Sequence, residues 1–180
     1  MLQQHLAFSD EYDGLAAYAT LWGNTVPVLL DAGELSDNYE DGEDALYDPA
    51  AADRIFGNKI PYQKIETALA WIENNREKII NFALDCENFV ENFNDWAAGE
   101  IAKKGKAVLY DGTVLTAEAD RQEIIGSIFL SGVFLDVDFD DKTVGGFSID
   151  LCTEPDYFGG HMLNIEVDEG GEMSFGGMNG

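Results

Sequence analysis

The stretch that decides the fold is GVFLDVDFDDKTVGGFSIDL, residues 132–151. Its first half alternates Phe or Asp with Leu, Val or Phe, a period-2 pattern typical of a β-strand with one face on a core and the other in water. The predicted water-facing residues are Phe134, Asp136, Asp138 and Asp140. DDKT, at 140–143, favours a turn, and VGGFSIDL then returns as a second strand. The stretch therefore predicts an antiparallel hairpin.

Two further strand patterns, GHMLNIEV and GEMSFGG, follow this hairpin toward the C-terminus. With it they predict strands at about 128–139, 144–151, 160–167 and 172–177, joined by turns in DDKT, TEPDYFG and DEGG. Because consecutive strands with short connections form antiparallel meanders, we expect four neighbouring strands with one face on other elements and one face wet.

The N-terminal part of the chain predicts another hairpin. LAAYATLWG (15–23) and TVPVLLDAG (25–33) are rich in strand-forming residues, and Gly23 and Asn24 lie between them. Pro27 lacks a backbone N–H, so it predicts that the second strand lies at a sheet edge or carries a bulge.

The middle of the chain has helical periodicity. From Pro61 to about Ala98, apolar residues recur at steps of three or four, which predicts one helix, or two helices broken near Asn74 and Asn75, ending at Gly99. Thr116 is the expected N-cap of a short helix that runs to about Ser127.

These elements predict a single α+β domain over 1–180, in which an antiparallel sheet packs against a central helical region. The N-terminal hairpin and an acidic loop occupy 1–57, the helices 58–127 and the C-terminal meander 128–180. A chain of 180 residues buries roughly 70% of its unfolded surface, so a core that forms without a cofactor is expected.

The net charge is strongly negative, at −25 from 35 acidic and 10 basic residues. Such a field repels nucleic-acid phosphates and anionic lipids, and it attracts a basic protein. We therefore expect no nucleic acid and no membrane as partners, and a basic protein as the candidate. High charge also simply keeps a protein soluble, so solubility alone is the competing interpretation.

The acidic residues concentrate in two places. ELSDNYEDGEDALYDPAAAD, residues 34–53, has no basic residue, and the strand at 134–140 carries three aspartates on one side. The candidate partner-binding residues are Asp37, Glu40, Asp41, Glu43, Asp44, Asp136, Asp138 and Asp140. From Asp37 to Asp48 the EF-hand spacing is met only poorly, and no metal site is predicted.

His161 is the one candidate for chemistry. Period 2 places it with Leu163, Ile165 and Val167 on an apolar face, which predicts a packed side chain. The alternative is a hydrolase in which His161 acts with a carboxylate, such as Asp156 or Glu154. The chain has no GxSxG, HExxH or P-loop motif, and no cofactor is predicted.

The two cysteines and the N-terminus indicate a cellular compartment. Cys86 and Cys152 have no CxxC spacing and are expected to be buried free thiols. MLQQHLAFSD lacks the basic and apolar regions of a signal peptide, and no apolar run is long enough to span a bilayer. A soluble cytoplasmic protein is expected.

The C-terminal two-thirds carries a more specific pattern. A helical region ends in NDW, VLTAEAD follows, and GVFLDVDF leads to FGGHMLNIEVDEGGEMSFGGMNG. Over residues 61–180 this order resembles a group of small bacterial domains of unknown function, some relatives of which occur among the immunity proteins of polymorphic toxin systems. The residues that carry the resemblance are Phe158, Gly159, Gly160, His161, Asp168, Gly170, Gly171 and Gly180. The resemblance implies an α+β cytoplasmic bacterial protein and transfers no catalytic residue.

The leading hypothesis is therefore a non-enzymatic, acidic protein-binding module, such as an immunity or inhibitor protein that neutralises a basic partner. Two alternatives stay open: a hydrolase that uses His161, and a domain whose acidity serves only solubility.

Overall fold

The computed structural model describes residues 2–3, 6–9, 12, 14–31 and 59–179. Within these ranges the fold is α+β, as predicted, with an N-terminal hairpin and C-terminal antiparallel strands around a helical region. The acidic stretch 34–53 lies outside the described residues, and with it the predicted contacts Asp37, Glu40, Asp41, Glu43 and Asp44.

The strands form one large and one small sheet. They are β1 (Ala7–Ser9), β2 (Gly14–Leu21), β3 (Asn24–Asp31), β4 (Ala107–Val108), β5 (Val114–Leu115), β6 (Ile128–Asp138), β7 (Thr143–Thr153), β8 (Met162–Asp168) and β9 (Met173–Asn179). The large sheet has the order β1-β2-β3-β6-β7-β8-β9, and β4 pairs with β5. All neighbours in the large sheet are antiparallel except β3 and β6, which are parallel. The predicted meander is thus confirmed as β6 to β9.

The predicted N-terminal hairpin is confirmed, with its turn one residue earlier than expected. Trp22 and Gly23 both have positive φ, 52° and 84°, in a two-residue loop that joins β2 to β3. The expectation that Pro27 places its strand at an edge or in a bulge is wrong, because β3 lies between β2 and β6 and pairs with both without a register shift. Pairing with β6 begins only at Val28. Pro27 has no backbone N–H, and it is tolerated because it is not paired with a residue of β6.

Four α-helices are described: α1 (Tyr62–Asn74), α2 (Arg76–Asp85), α3 (Phe89–Lys104) and α4 (Arg121–Ser127). The break predicted near Asn74 and Asn75 is confirmed. A second break, at the 3-10 turn Cys86–Asn88, was not predicted. Gly99 does not end the helical region, because α3 continues to Gly105, whose φ of 74° and N–H bond to the Ile101 carbonyl make it the C-cap.

The start of α4 also differs from the prediction. Its N-cap is Asp120, whose side chain accepts a hydrogen bond from the Gln122 N–H at 2.7 Å, and not Thr116. The segment between them is held in a non-helical conformation because Asn94 of α3 bonds both the N–H and the carbonyl of Ala119, at 2.9 and 3.0 Å. A tertiary contact therefore overrides the local capping signal.

The hydrophobic core lies between the helices and one face of the large sheet. Helix α1 contacts β2 and β7, and α2 contacts β8. Ile65, Leu69 and Ile72 of α1 are fully buried there, together with Leu135 of β6 and Ile149 of β7. The apolar residues of the helices and those of the strands thus pack together in one core.

Candidate functional site

Strand alternation leaves the large sheet with a second face, opposite the core. The side chains of Ala16, Leu29 and Phe134 point to this second side and lie outside the core cluster. The buried residues of all four described helices belong to the core on the other side. The second side, which none of the described helices covers although Ala16 and Leu29 are buried there, is called the open face below.

A row of paired residues crosses the open face from β2 to β8. Its members are Ala16, Leu29, Phe134, Ser148 and Glu166. At about 4.8 Å between strands, the row is roughly 19 Å long. It changes from apolar to acidic along its length, which sets two different surfaces side by side.

The apolar end of this row is an exposed patch. Phe134 is 38% exposed and Tyr18 is 36% exposed, which is high for large apolar side chains. Tyr18 lies opposite Pro27, one step along the same face from the pair formed by Leu29 and Phe134. The apolar patch consists of the exposed Tyr18 and Phe134 together with the half-buried Pro27 and the buried Leu29, which is 8% exposed.

The acidic end of the row gathers exposed carboxylates. In the next row, Asp136 lies opposite Gly146, which lies opposite Asp168. A Cβ on the neighbouring Gly145 would be 2.9 Å from Asp136 Oδ2 and 4.0 Å from Glu169 Oε1, so both carboxylates reach the same point above β7. The acidic patch consists of Asp136, Glu166, Asp168 and Glu169, all exposed.

Like charges held this close repel each other, and a nearby cation relieves that repulsion. Within the described part of the chain, no member of the acidic patch forms an ion pair. The patch therefore has an unmet electrostatic preference for positive charge.

The three aspartates predicted on β6 are all exposed, but they differ in their contacts. Asp138 Oδ1 accepts hydrogen bonds from the N–H groups of Asp140 and Asp141, at 2.9 and 2.8 Å, and so closes the β6–β7 turn. Asp140 forms an ion pair with Lys59 at 3.2 Å. Only Asp136 of the three lies in the acidic patch.

A buried polar pair lies beside the two patches. Asn164 Nδ2 donates to Asp150 Oδ1 at 2.7 Å, and the two residues are 9% and 6% exposed. The Ser131 hydroxyl donates to the Asp150 carbonyl at 3.2 Å. Because buried polar groups hold their partners in fixed geometry, this pair stiffens the centre of the open face.

Cys152 lies next along β7 on the same face as Asp150. Burial raises the pKa of the Cys152 thiol; the hydrogen bond with Ser131 lowers it, and the charges of Asp150 and Asp156 raise it further. The thiol form is therefore favoured, and this environment does not activate a nucleophile.

His161 does not pack in the core, so the prediction of a buried side chain is wrong. It is exposed and precedes β8, which begins at Met162. Gly159 and Gly160, with φ of 68° and 84°, form a turn just before His161, so the histidine lies outside the strand pairing of β8. The His161 N–H donates to the Phe158 carbonyl at 3.3 Å.

The carboxylates named for the hydrolase alternative are not joined to His161. In the described residues neither Glu154 nor Asp156 shares a hydrogen bond or ion pair with its ring, and the Asp156 N–H instead donates to Asp111 Oδ2 at 2.9 Å. The same residues contain no group of three or more His, Cys, Asp or Glu placed to hold a metal ion.

Sequence analysis did not single out Tyr18, Leu29, Glu166 and Asp168 as site residues. Alternation along β8 does place Glu166 and Asp168 on the face opposite Leu163, so the sequence indicates which face of the strand they occupy. The sequence does not indicate which strands are neighbours. The parallel pairing of β3 with β6 brings Leu29 beside Phe134, although the two are more than 100 residues apart in sequence.

Comparisons of the chain with protein-family models, curated proteins and solved structures found no match. The resemblance to small bacterial domains therefore stays a prediction. No helix in the described ranges is long and apolar enough to cross a membrane.

Proposed function

We propose that the protein is a non-enzymatic binding module whose open face engages a basic protein, in the manner of an immunity or inhibitor protein. One observation carries the proposal: the exposed carboxylates of Asp136 and Glu166 lie on the same face of the sheet as the exposed Phe134 ring. The proposal includes neither a membrane nor a nucleic acid as partner, because both present negative charge to a chain of −25.

The apolar patch supplies the aromatic and apolar side chains that contribute most to binding energy. Protein interfaces concentrate their affinity in a few aromatic and apolar anchors, and charged residues at the rim contribute less. Tyr18 and Phe134 are the aromatic members, and Leu29 forms the floor between them. An apolar side chain of the partner is expected to pack against the exposed rings of Phe134 and Tyr18.

The acidic patch supplies orientation and speed. Exposed rim charges accelerate the association of oppositely charged partners and disfavour wrong partners, and their effect weakens with salt. Asp136 and Glu166 are the residues that best fit this role, since neither closes a turn nor forms an ion pair within the described residues. The partner is therefore expected to present Lys or Arg around an apolar centre.

The test uses two variants with equal changes in charge. One neutralises the acidic patch with Asp136→Asn, Glu166→Gln and Asp168→Asn; the amide introduced at position 168 keeps an oxygen for the hydrogen bond from the Glu172 N–H. The control neutralises three exposed acids away from the open face, with Glu91→Gln, Asp95→Asn and Glu118→Gln. Wild type and both variants are immobilised, exposed to lysate of the source organism and eluted with rising salt.

The expected result is a stoichiometric basic protein that the wild type and the control retain and that the patch variant releases at clearly lower salt. With that protein purified, Phe134→Ala should raise the dissociation rate, and the patch variant should mainly lower the association rate. Equal losses in the two triple variants would show that only total charge matters, and the solubility interpretation would replace this proposal.

A further inference from the structure

A cavity of about 720 Å³ lies between the β2–β3 turn, the start of α2 and the junction of α4 with β6. It uses no residue of the apolar or acidic patches. Its polar lining includes Asn24, Thr25, Arg76, Ser127, Ser131 and Glu154, and its apolar lining includes Ile128, Phe129 and Leu130. Ile128 and Leu130 are buried in the core, so Phe129 supplies the apolar surface of a mostly polar lining. A concave site with convergent polar groups is a candidate for binding a small molecule.

Arg76 is held at this cavity by the Trp22 ring. The Arg76 Cζ atom lies 5.6 Å from the centroid of that ring, in cation–π geometry. Trp22 itself is fixed to α1, since its indole Nε1–H donates to the Ile72 carbonyl at 3.1 Å and its backbone N–H donates to Glu73 Oε2 at 2.7 Å. The contact with the fixed Trp22 ring thus restricts the positions that the guanidinium can adopt.

The backbone of Trp22 is strained. Its φ of 52° lies in the left-handed region, where a bulky side chain is a genuine outlier, and two-residue hairpin loops of this geometry usually place Asn or Asp there. Such strain persists only where the surroundings enforce it, and it clusters at functional sites. Here the enforcing contacts are the ones that set the ring beneath Arg76.

Among the described residues, the Arg76 guanidinium has no carboxylate partner. None of the ion pairs within the described residues includes Arg76, although the chain has 35 acidic residues for 10 basic ones. Of the two carboxylates near Arg76 in sequence, Glu73 accepts the Trp22 N–H, and Glu77 forms no ion pair with Arg76 within the described residues. An exposed, fixed arginine therefore presents unused N–H donors in a fork that matches an oxyanion.

We propose that this cavity binds a small ligand through an oxyanion head group, either a carboxylate or a phosphate. The Arg76 guanidinium donates to the head group, the side chains of Asn24 and Thr25 offer further donors, and the apolar body of the ligand packs on Phe129. Glu154, on the same cavity, disfavours a second anionic group, so a ligand with one anionic end is expected.

The net charge of the chain does not prevent this binding. At physiological salt, interactions between exposed charges are largely screened beyond about 8 Å. The head group therefore responds mainly to the charges that line the cavity, which are Arg76 in favour and Glu154 against. Both contributions are testable with opposite signs.

The test is an NMR titration of the isotopically labelled full chain with two probes, inorganic phosphate and benzoate. Three variants each change one charge: Arg76→Gln, Glu154→Gln, and Arg121→Gln as the matched arginine control, since Arg121 pairs with Asp85 away from the cavity lining. Thermal unfolding of each variant checks that it is folded.

The expected result is saturable binding of at least one probe, with shifts in the amide signals of residues 126–131. Arg76→Gln should weaken binding about tenfold or more, the loss expected for a charge-assisted hydrogen bond. Glu154→Gln should tighten binding, and Arg121→Gln should leave it unchanged. Arg76-dependent binding of phosphate alone assigns a phosphorylated ligand, and of benzoate alone an apolar carboxylate.

Two outcomes would overturn the proposal. In one, neither probe binds saturably to the wild type. In the other, Arg76→Gln and Arg121→Gln weaken binding equally, which is the behaviour of general anion association with the protein surface. Because the variants leave the acidic patch intact, neither outcome bears on the basic partner proposed for the open face.

Discussion

The buried pair of Asp150 and Asn164 makes a sharp prediction about a glycine on the neighbouring strand. A Cβ on Gly176 would overlap Asn164 Oδ1 and stand 3.0 Å from Asn164 Cγ, well inside van der Waals contact. Gly176 does not have positive φ, so alanine suits its backbone and only the clash opposes the substitution. Asn164 cannot turn away freely, because its Nδ2 is bonded to Asp150 Oδ1 at 2.7 Å.

The cost of Gly176→Ala is therefore the cost of that hydrogen bond. A buried bond to a carboxylate contributes about 1.5 to 3 kcal/mol, and Gly176→Ala should lower the free energy of unfolding by that amount. Asn164→Ala should cost about the same or more, because it leaves the Asp150 carboxylate, 6% exposed, without this donor. In the Asn164→Ala background the clash is gone, and Gly176→Ala should be neutral or stabilising by about 0.4 to 1 kcal/mol.

Urea unfolding of the four proteins of this double-mutant cycle, followed by circular dichroism, measures the coupling between the two sites. We expect a coupling of about 1.5 to 4 kcal/mol in the direction of rescue, which is the cost removed plus any gain in the Asn164→Ala background. Gly126→Ala is the control, since nothing lies within 4 Å of its added Cβ, and it should be stabilising in both backgrounds. If Gly176→Ala costs the same with and without Asn164, the reasoning is refuted.

Three further predictions concern pH and helix capping. Burial raises the pKa of Tyr157 from 10.0 to about 12, so its contribution to stability is complete below pH 10 and is lost as pH rises toward 12; Tyr157→Phe should remove this alkaline loss in urea titrations. The backbone N–H groups of Thr113 and Asp156 lower the pKa of Asp111, so Asp111→Asn should destabilise at neutral pH, and its difference from wild type should close as pH falls below 3.8. Gly105→Ala should cost about 1 kcal/mol of unfolding free energy, measured by thermal unfolding, because φ there is 74°.

Local patterns predicted most of the elements because each is decided by neighbours in sequence. The alternation around Phe134 sets β6, the polar DDKT sets the following turn, and the apolar steps from Ile65 set α1. In each of these places, the residue's local preference and its packing in the fold agree.

The predictions that are wrong concern places where a contact between residues distant in sequence determines the structure. Thr116 loses the cap to Asp120 because Asn94, more than 20 residues earlier, holds the intervening segment. Gly99 stays helical because the left-handed C-cap is available at Gly105. The open face could not be predicted for the same reason, since strand order does not follow from period-2 alternation.

The contacts of the acidic residues bear on the choice between the proposed binding function and the solubility hypothesis. Several of them accept backbone N–H groups and so have a reason within the fold: Asp111, Asp120, Asp138 and Asp168. Among the described residues neither Asp136 nor Glu166 accepts a backbone N–H, and Glu166 has only a long hydrogen bond from the Ser174 hydroxyl at 3.4 Å. Solubility is served by a carboxylate anywhere on the surface, and exposed aromatic rings work against it. The placement of Asp136 and Glu166 around Phe134 therefore favours recognition of a basic partner over solubility as the reason for their charge.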